Sequence, residues 1–230
     1  MDLKSVDFPQ ALSAAEIASI RARVEHNYAD IPLVSLDIET DTSGGGGLDP
    51  TVSKVVAASL AYSDTDEVHV FDSKNEEEIL QDIEKALTKR TGLLVTWNGA
   101  GFDLPFLSSR YSITQTTTSL RVAPDPLIPA KYTPPAGLGP PVRASWNHLA
   151  HVDVSYLYAG VAREENIKWS LKSVAKHLGY SPVEVDRERV HALTLEELRE
   201  YVASDALVTV KLAQLLRPQV LIRSIAFMNL

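Results

Sequence analysis

The sequence predicts an α/β layer fold built on a mixed sheet, and three observations carry that expectation. β-rich runs at 33–40, 54–62 and 67–71 follow one another across short turns, amphipathic stretches with helix caps come after them, and a short apolar run at 93–96 sits directly behind the first such stretch. Runs joined by tight turns pair antiparallel, whereas a strand that follows a helix returns parallel to an earlier one.

Composition bounds the rest. The chain has 230 residues, 45% hydrophobic and 23% charged, which suits one globular domain with a real core. It has no cysteine, so disulfides, thiolate metal sites and cysteine nucleophiles are excluded, and any metal must be held by oxygen or imidazole. No run is long and apolar enough to span a bilayer, and Met1-Asp2-Leu3-Lys4 lacks a signal peptide's basic start and apolar run, so a cytoplasmic location without membrane contact is expected. A formal net charge of −8 argues against coating nucleic acid through a broad basic surface. It does not argue against handling one strand end through local contacts.

An N-terminal extension over residues 1–30 carries a helix signal: Ser13 and Glu16 have capping-box spacing, Leu12 and Ile17 staple spacing, and Ile17, Ile20 and Val24 form an apolar stripe. The main domain runs from 31 to 217. Leu33 to Thr40 is a buried strand that breaks into the glycine run 44–47. Lys54 to Tyr62 and Glu67 to Phe71 form a hairpin about Ser63-Asp64-Thr65-Asp66. Ser73 and Glu76 offer a capping box for a helix with the stripe Ile79, Leu80, Ile83, Leu87, closed by Gly92. Leu93 to Thr96 is then a fully buried strand parallel to the first, followed by a tight turn and a short helix.

Residues 121–145 hold seven prolines and little periodicity, which reads as a proline-rich insertion in irregular conformation; its Arg121, Lys131 and Arg143 are either phosphate contacts or isolated surface bases. His151 to Leu157 resumes strand character, and Ser170 to Leu178 is a short helix with stripe Leu171, Val174, Leu178 and a closing Gly179. The last helix starts at Thr194 with Glu197 as capping box and stops before Pro218, leaving 218–230 as a C-terminal tail.

The chemistry centres on Asp37 and Glu39. Residues i and i+2 of a strand point to one face, so the two carboxylates project together from the end of a buried strand, where repulsion and desolvation are costly unless protons or cations offset them. Taken alone, the pair also suits a strand end that has reached solvent. Asp103 follows the turn Trp97-Asn98-Gly99-Ala100-Gly101, at the carboxyl end of the fourth strand where ligands of α/β sheets gather; by itself it also suits a helix cap. On the last helix Leu198, Tyr201, Asp205, Val208 and Leu212 share one face, which puts Asp205 in a core-facing stripe where an unpaired acid is expensive. Tyr201, one turn earlier, would be an ordinary core aromatic if Asp205 were absent.

Asp37-x-Glu39, Asn98-Gly-x-x-Phe102-Asp103 and Tyr201-x-x-x-Asp205 resemble the three motifs of the DEDD 3′ to 5′ exonucleases, in their order and at the expected elements. The chain looks most like the tyrosine-bearing branch and the proofreading domain of family B DNA polymerases, because Glu200 stands where the other branch has histidine. The resemblance runs from residue 33 to 212 and implies a ribonuclease H-like fold, a mixed central sheet flanked by helices. It implies that Asp37, Glu39, Asp103 and Asp205 bind two Mg²⁺ or Mn²⁺ ions about 4 Å apart. Tyr201 would orient the attacking water, since a phenol with a pKa of about 10 is a poor base at neutral pH. Asn98, Phe102 and Thr40 would position the terminal nucleotide, with Phe102 or Trp97 stacking on it. The substrate implied is the 3′ end of single-stranded DNA, favoured over RNA, released as nucleoside 5′-monophosphates, with a DNA polymerase or repair complex as partner. Two other readings are the same chemistry on RNA or oligoribonucleotides, and a nuclease fold kept as a binding or scaffold module; retention of all four acids and Tyr201 counts against the scaffold. Asp153 has a structural hydrogen bond as its expected role and His151 is left outside the ligand set, while Lys168 and Lys172 suit either contact with the bound strand or a solvated helix face.

Overall fold

A computed structural model describes residues 30–41, 43, 48–125, 138–185 and 192–228. The expected helix at 12–24, the glycine run and the middle of the proline-rich stretch lie outside the described residues. Strands β1 (Leu33–Thr40), β2 (Val55–Tyr62), β3 (Val68–Asp72), β4 (Leu93–Thr96), β5 (Leu120–Pro124), β6 (Val142–Trp146) and β7 (Leu149–Asp153) alternate with helices α1 (Glu76–Thr88), α2 (Asp103–Thr114), α3 (Ala159–Glu164), α4 (Leu171–His177), α5 (Leu195–Leu215) and α6 (Arg217–Met228). The strands form one mixed sheet in the order β3-β2-β1-β4-β7-β6-β5. β1 pairs antiparallel with β2 and parallel with β4, and β4 pairs parallel with β7, so the pairing expected for the first four strands is the one observed.

Alternation along β1 separates two cores. Val34, Leu36 and Ile38 pack against Ile79, Leu80 and Ile83 of α1 and Leu104 and Phe106 of α2. Leu33, on the opposite face, joins Ala206, Val210 and Ala213 of α5, Leu171 and Val174 of α4, and Val220 of α6. Asp37 and Glu39 continue the second face beyond Ser35, so the apolar layer under α5 gives way to carboxylates at the end of the strand. Among the described residues no helix is long and apolar enough to cross a membrane.

Several local expectations are corrected. The proline-rich stretch is not irregular throughout: its ends are β5 and β6, which pair with each other and, through β6, with β7. Pro124 closes an edge strand and Pro141 directly precedes β6, two places where a missing N–H does no harm. The cap of α1 is Asn75, whose side chain accepts Glu77 N–H; Ser73 instead donates to Glu78, and Glu76 is buried on Arg110. Gly92 does not close α1. It has φ +119° and lies so close to Pro32 that a Cβ would stand 2.1 Å from the Pro32 carbonyl oxygen, which makes it the entry to β4. Strand character after His151 stops at Asp153, where a 3₁₀ turn (Val154–Tyr158) and α3 begin. Leu178 is exposed rather than part of the α4 stripe, and Ala175 is buried in its place. The chain past Pro218 continues as α6, with the proline in its first turn where no N–H is needed. The capping box at Thr194 and Glu197 forms as expected, with both reciprocal hydrogen bonds present.

β7 places His151 wholly inside, with its Nε2 2.8 Å from Thr96 Oγ1 on β4. Burial pushes this imidazole down to about 3, so it stays neutral in the folded chain. An unfolded histidine takes its proton near about 6.5, so His151's contribution to stability is fully present above that pH and is lost as pH falls from 6.5 towards 3. Urea unfolding between pH 7.5 and 4.5 is expected to show wild type losing roughly 1 kcal/mol per pH unit more than His151→Gln below about pH 6.

Candidate active site

A cleft of about 550 Å³ opens at the carboxyl ends of β1 and β4. All eight residues singled out in the sequence line it: Asp37, Glu39 and Thr40 from β1, Asn98, Phe102 and Asp103 from the turn after β4 and the start of α2, and Tyr201 and Asp205 from α5. Three different sections of the chain thus deliver their acids to one place. Trp169, which the sequence reading passed over, lines the same wall together with Ser155 and Leu48.

The cleft exists because β4 is short. It pairs with β1 only from Leu33 to Ser35, so the rest of that edge of β1 has no strand beside it. There the Ile38 N–H donates to Asp103 Oδ1 at 3.2 Å. Asp103 is the first residue of α2 rather than its cap, which is Phe102, and its carboxylate reaches across to β1. Burial raises the Asp103 carboxyl to about 7; the N–H groups of Asp103 and Ile38 pull it down, and the charge of Asp153 pushes it further up. Raised in this way, the carboxyl is one whose charged form a nearby cation would stabilise.

Helix α5 is fastened over the open face by two buried hydroxyls. Ser59 Oγ donates to Val202 O and Ser35 Oγ to Ala206 O, each at 2.6 Å, so the carbonyls after Tyr201 and after Asp205 are both gripped by the sheet, one helical turn apart. Tyr201 and Asp205 are buried, as the apolar stripe around them predicted. The ammonium of Lys172, on α4, forms an ion pair with Asp205 Oδ1 and lies 4.5 Å from the centre of the Tyr201 ring. Lys168 is exposed, but in the loop before α4 rather than on a helix face, and Lys172, on α4, has a side chain only 12% accessible.

The turn after β4 is held by Asp153. Its Oδ1 accepts the N–H of Asn98 and the N–H and hydroxyl of Ser155, and its Oδ2 accepts the N–H of Ala100. Burial raises this carboxyl while those donors oppose the rise, which is the structural role expected for Asp153. Asn98 has φ 63° and Gly99 packs so tightly on Thr96 that a Cβ would meet the threonine Oγ1 at 2.3 Å. Trp97 lines the cleft as well, with its ring 5.9 Å from that of Tyr158 between centres.

The donor set fits hard divalent cations in kind. Asp37, Glu39, Asp103 and Asp205 offer only carboxylate oxygen, and one of them, Asp205, is already paired with a cation, the Lys172 ammonium. Among the described residues no three His, Cys, Asp or Glu side chains form a ready-made ion cage. The acids converge on one cleft without standing at ligand spacing. Gly99→Ala and Asp153→Asn both attack the turn that presents Asn98 and Asp103, and each is expected to lower the free energy of urea unfolding by roughly 1–3 kcal/mol.

Residues 34–195 match the sequence pattern of the RNase_H superfamily. The fold is similar to that of the family B DNA polymerase from the hyperthermophilic archaeon Pyrobaculum calidifontis, with a TM-score of 0.59 and 23% identity, over 82% of this chain and 25% of that one. The chain thus spans a quarter of that polymerase's length, and at this identity the likeness speaks for the fold alone. No curated protein matches the chain. The superfamily match ends at the first residue of α5, so Tyr201 and Asp205 lie beyond it, yet it covers most of the chain and takes in the mixed sheet together with Asp37, Glu39 and Asp103. On that extent of sequence and on the ribonuclease H-like arrangement of its sheet and helices, the chain belongs to the RNase_H superfamily.

Proposed function

We propose that the chain is a metal-dependent 3′ to 5′ exonuclease of the tyrosine-bearing DEDD branch, hydrolysing phosphodiester bonds at the 3′ ends of single-stranded DNA and working beside a DNA polymerase or in a repair complex. The observation that carries the reading is the meeting of Asp37, Glu39, Asp103, Tyr201 and Asp205 in one cleft, from elements far apart in the chain. Membership of a superfamily whose nucleases generally use divalent metals agrees with it, as does the fold likeness to a family B DNA polymerase.

In this reading the four carboxylates hold two Mg²⁺ or Mn²⁺ ions, which when bound lower the pKa of a water and stabilise the departing 3′ oxygen. The chain's own residues do the rest. Asp37 and Glu39 present their oxygens from a strand whose backbone is paired with β2 along one edge and tied to Asp103 through the Ile38 N–H on the other. Asp103 would hold a cation as its carboxylate, the form that burial alone disfavours. Tyr201 directs the attacking water with its hydroxyl, and Lys172 fixes the direction of the Asp205 carboxylate by holding Oδ1. Asn98, Phe102 and Thr40 border the space left for the terminal nucleotide.

Decay of 5′-labelled single-stranded DNA, duplex DNA and RNA of one sequence tests this. With Mg²⁺ or Mn²⁺ the single-stranded DNA is expected to shorten stepwise from its 3′ end, EDTA to stop the reaction, and Asp37→Ala to lower the rate at least about 100-fold while the circular dichroism spectrum stays that of wild type. Unchanged digestion by Asp37→Ala refutes the assignment. Faster decay of the RNA moves it to an exoribonuclease, and binding without any digestion moves it to a scaffold.

A further inference from the structure

Trp169 has no part in the acid constellation, yet it lines the same cleft. The residue is 50% accessible, and it is the sole aromatic among the large apolar residues exposed in the described part of the chain. Exposure alone says little about function. The decisive feature is how the ring is held. Its indole N–H donates to Ser155 O at 2.8 Å, and the ring of Tyr156 backs it at 5.9 Å between centres. The polar edge is thus satisfied inside the protein, and what faces the cleft is aromatic surface with no hydrogen bond left to make.

The frame that holds it is the one that holds the site. Ser155 hangs on Asp153, and Asp153 also grips the N–H groups of Asn98 and Ala100. Trp169 immediately precedes Ser170, the cap of α4, whose first turn carries Lys172 to Asp205. The indole is therefore kept at a fixed separation from both the Asn98 turn and Asp205.

From this placement we propose that Trp169 is a stacking platform for a nucleobase of the bound single strand, and that it makes the site select unpaired over paired ends. The inference rests on the exonuclease reading. Charge supports it: in a chain of net charge −8, attraction of the strand's phosphates away from the site is a weak source of affinity. Stacking of a base on an aromatic face supplies about 1–3 kcal/mol whatever the base. A base within a duplex is already stacked on its neighbours and gains less from the indole.

Steady-state kinetics with (dT)10, and with the same strand made abasic at its three 3′-terminal positions, test the inference. For Trp169→Ala the KM for (dT)10 is expected to rise about 5- to 100-fold at unchanged kcat, to return towards wild type in Trp169→Phe, and to match wild type on the abasic strand. Trp169→Leu, which keeps apolar bulk without a π-face, is expected to behave as Trp169→Ala and replaces it should the alanine variant not fold. Wild-type KM in both Trp169→Ala and Trp169→Leu, with (dT)10 still degraded, overturns the platform and leaves the exonuclease standing. A fall in kcat at constant KM, or an equal loss on the abasic strand, overturns it as well. A wild-type protein that neither degrades nor binds (dT)10 removes the exonuclease reading and the platform with it.

Discussion

Negative charge gathered at the end of β1 is the constraint to which the surrounding structure answers. Two acids two residues apart on a strand lie roughly 6.6 Å from each other, and at an effective dielectric of about 20 they repel by about 2.5 kcal/mol. Asp103 and Asp205 approach from other elements and add to that. A net hydrogen bond contributes about 0.5–1.5 kcal/mol, so no single contact offsets the crowding. The response is distributed: Ser35 and Ser59 fasten α5 to the sheet, Asp103 takes up the Ile38 N–H, and Lys172 places one positive charge on Asp205.

A second brace ties α2 to the loop behind β1. Arg110, on the helix that begins with Asp103, forks onto Glu76 and donates to Pro50 O, while Glu76 also accepts the Val55 N–H. Both side chains are buried, so removing either strands a charge inside the protein. Through this pair the helix bearing one acid, the first turn of α1 and the start of β2 form one body.

Much of this was legible in the sequence, for reasons that can be named. β1 to β4, α1 and α5 are built from strong local patterns: apolar runs of strand length, the 3.6-residue stripe through Ile79, Leu80, Ile83 and Leu87, and the capping box of Thr194 and Glu197. Asp37 and Asp205 stood out because each acid occupied an apolar context, Glu39 because it shares a strand face with Asp37, and Asp103 because it follows the turn at the end of the fourth strand; the fold brings all four to one cleft. What stayed hidden depends on contacts between distant segments. β5 and β6 are short and fringed by prolines, and only their pairing with each other shows them as strands. Lys172 looks like any lysine of a short helix until α4 packs on α5 and brings it to Asp205. For Ser35 and Ser59 a signal was available, since hydroxyls in otherwise apolar strands need a buried acceptor, and the carbonyls of α5 supply it.

The anchoring of the proline-bearing segment has an architectural consequence. Asp125 N–H bonds to Pro141 O at 2.9 Å, and Val142 N–H bonds to Ala100 O at 2.8 Å, in the turn that carries Asn98. Residues 125 and 141 are therefore held together, beside the turn that follows β4. Closing a longer excursion at such a point costs only about 0.6 kcal/mol for each doubling of its length. A change in chain length between these two positions therefore costs little and leaves the register of β5 on β6 as it is.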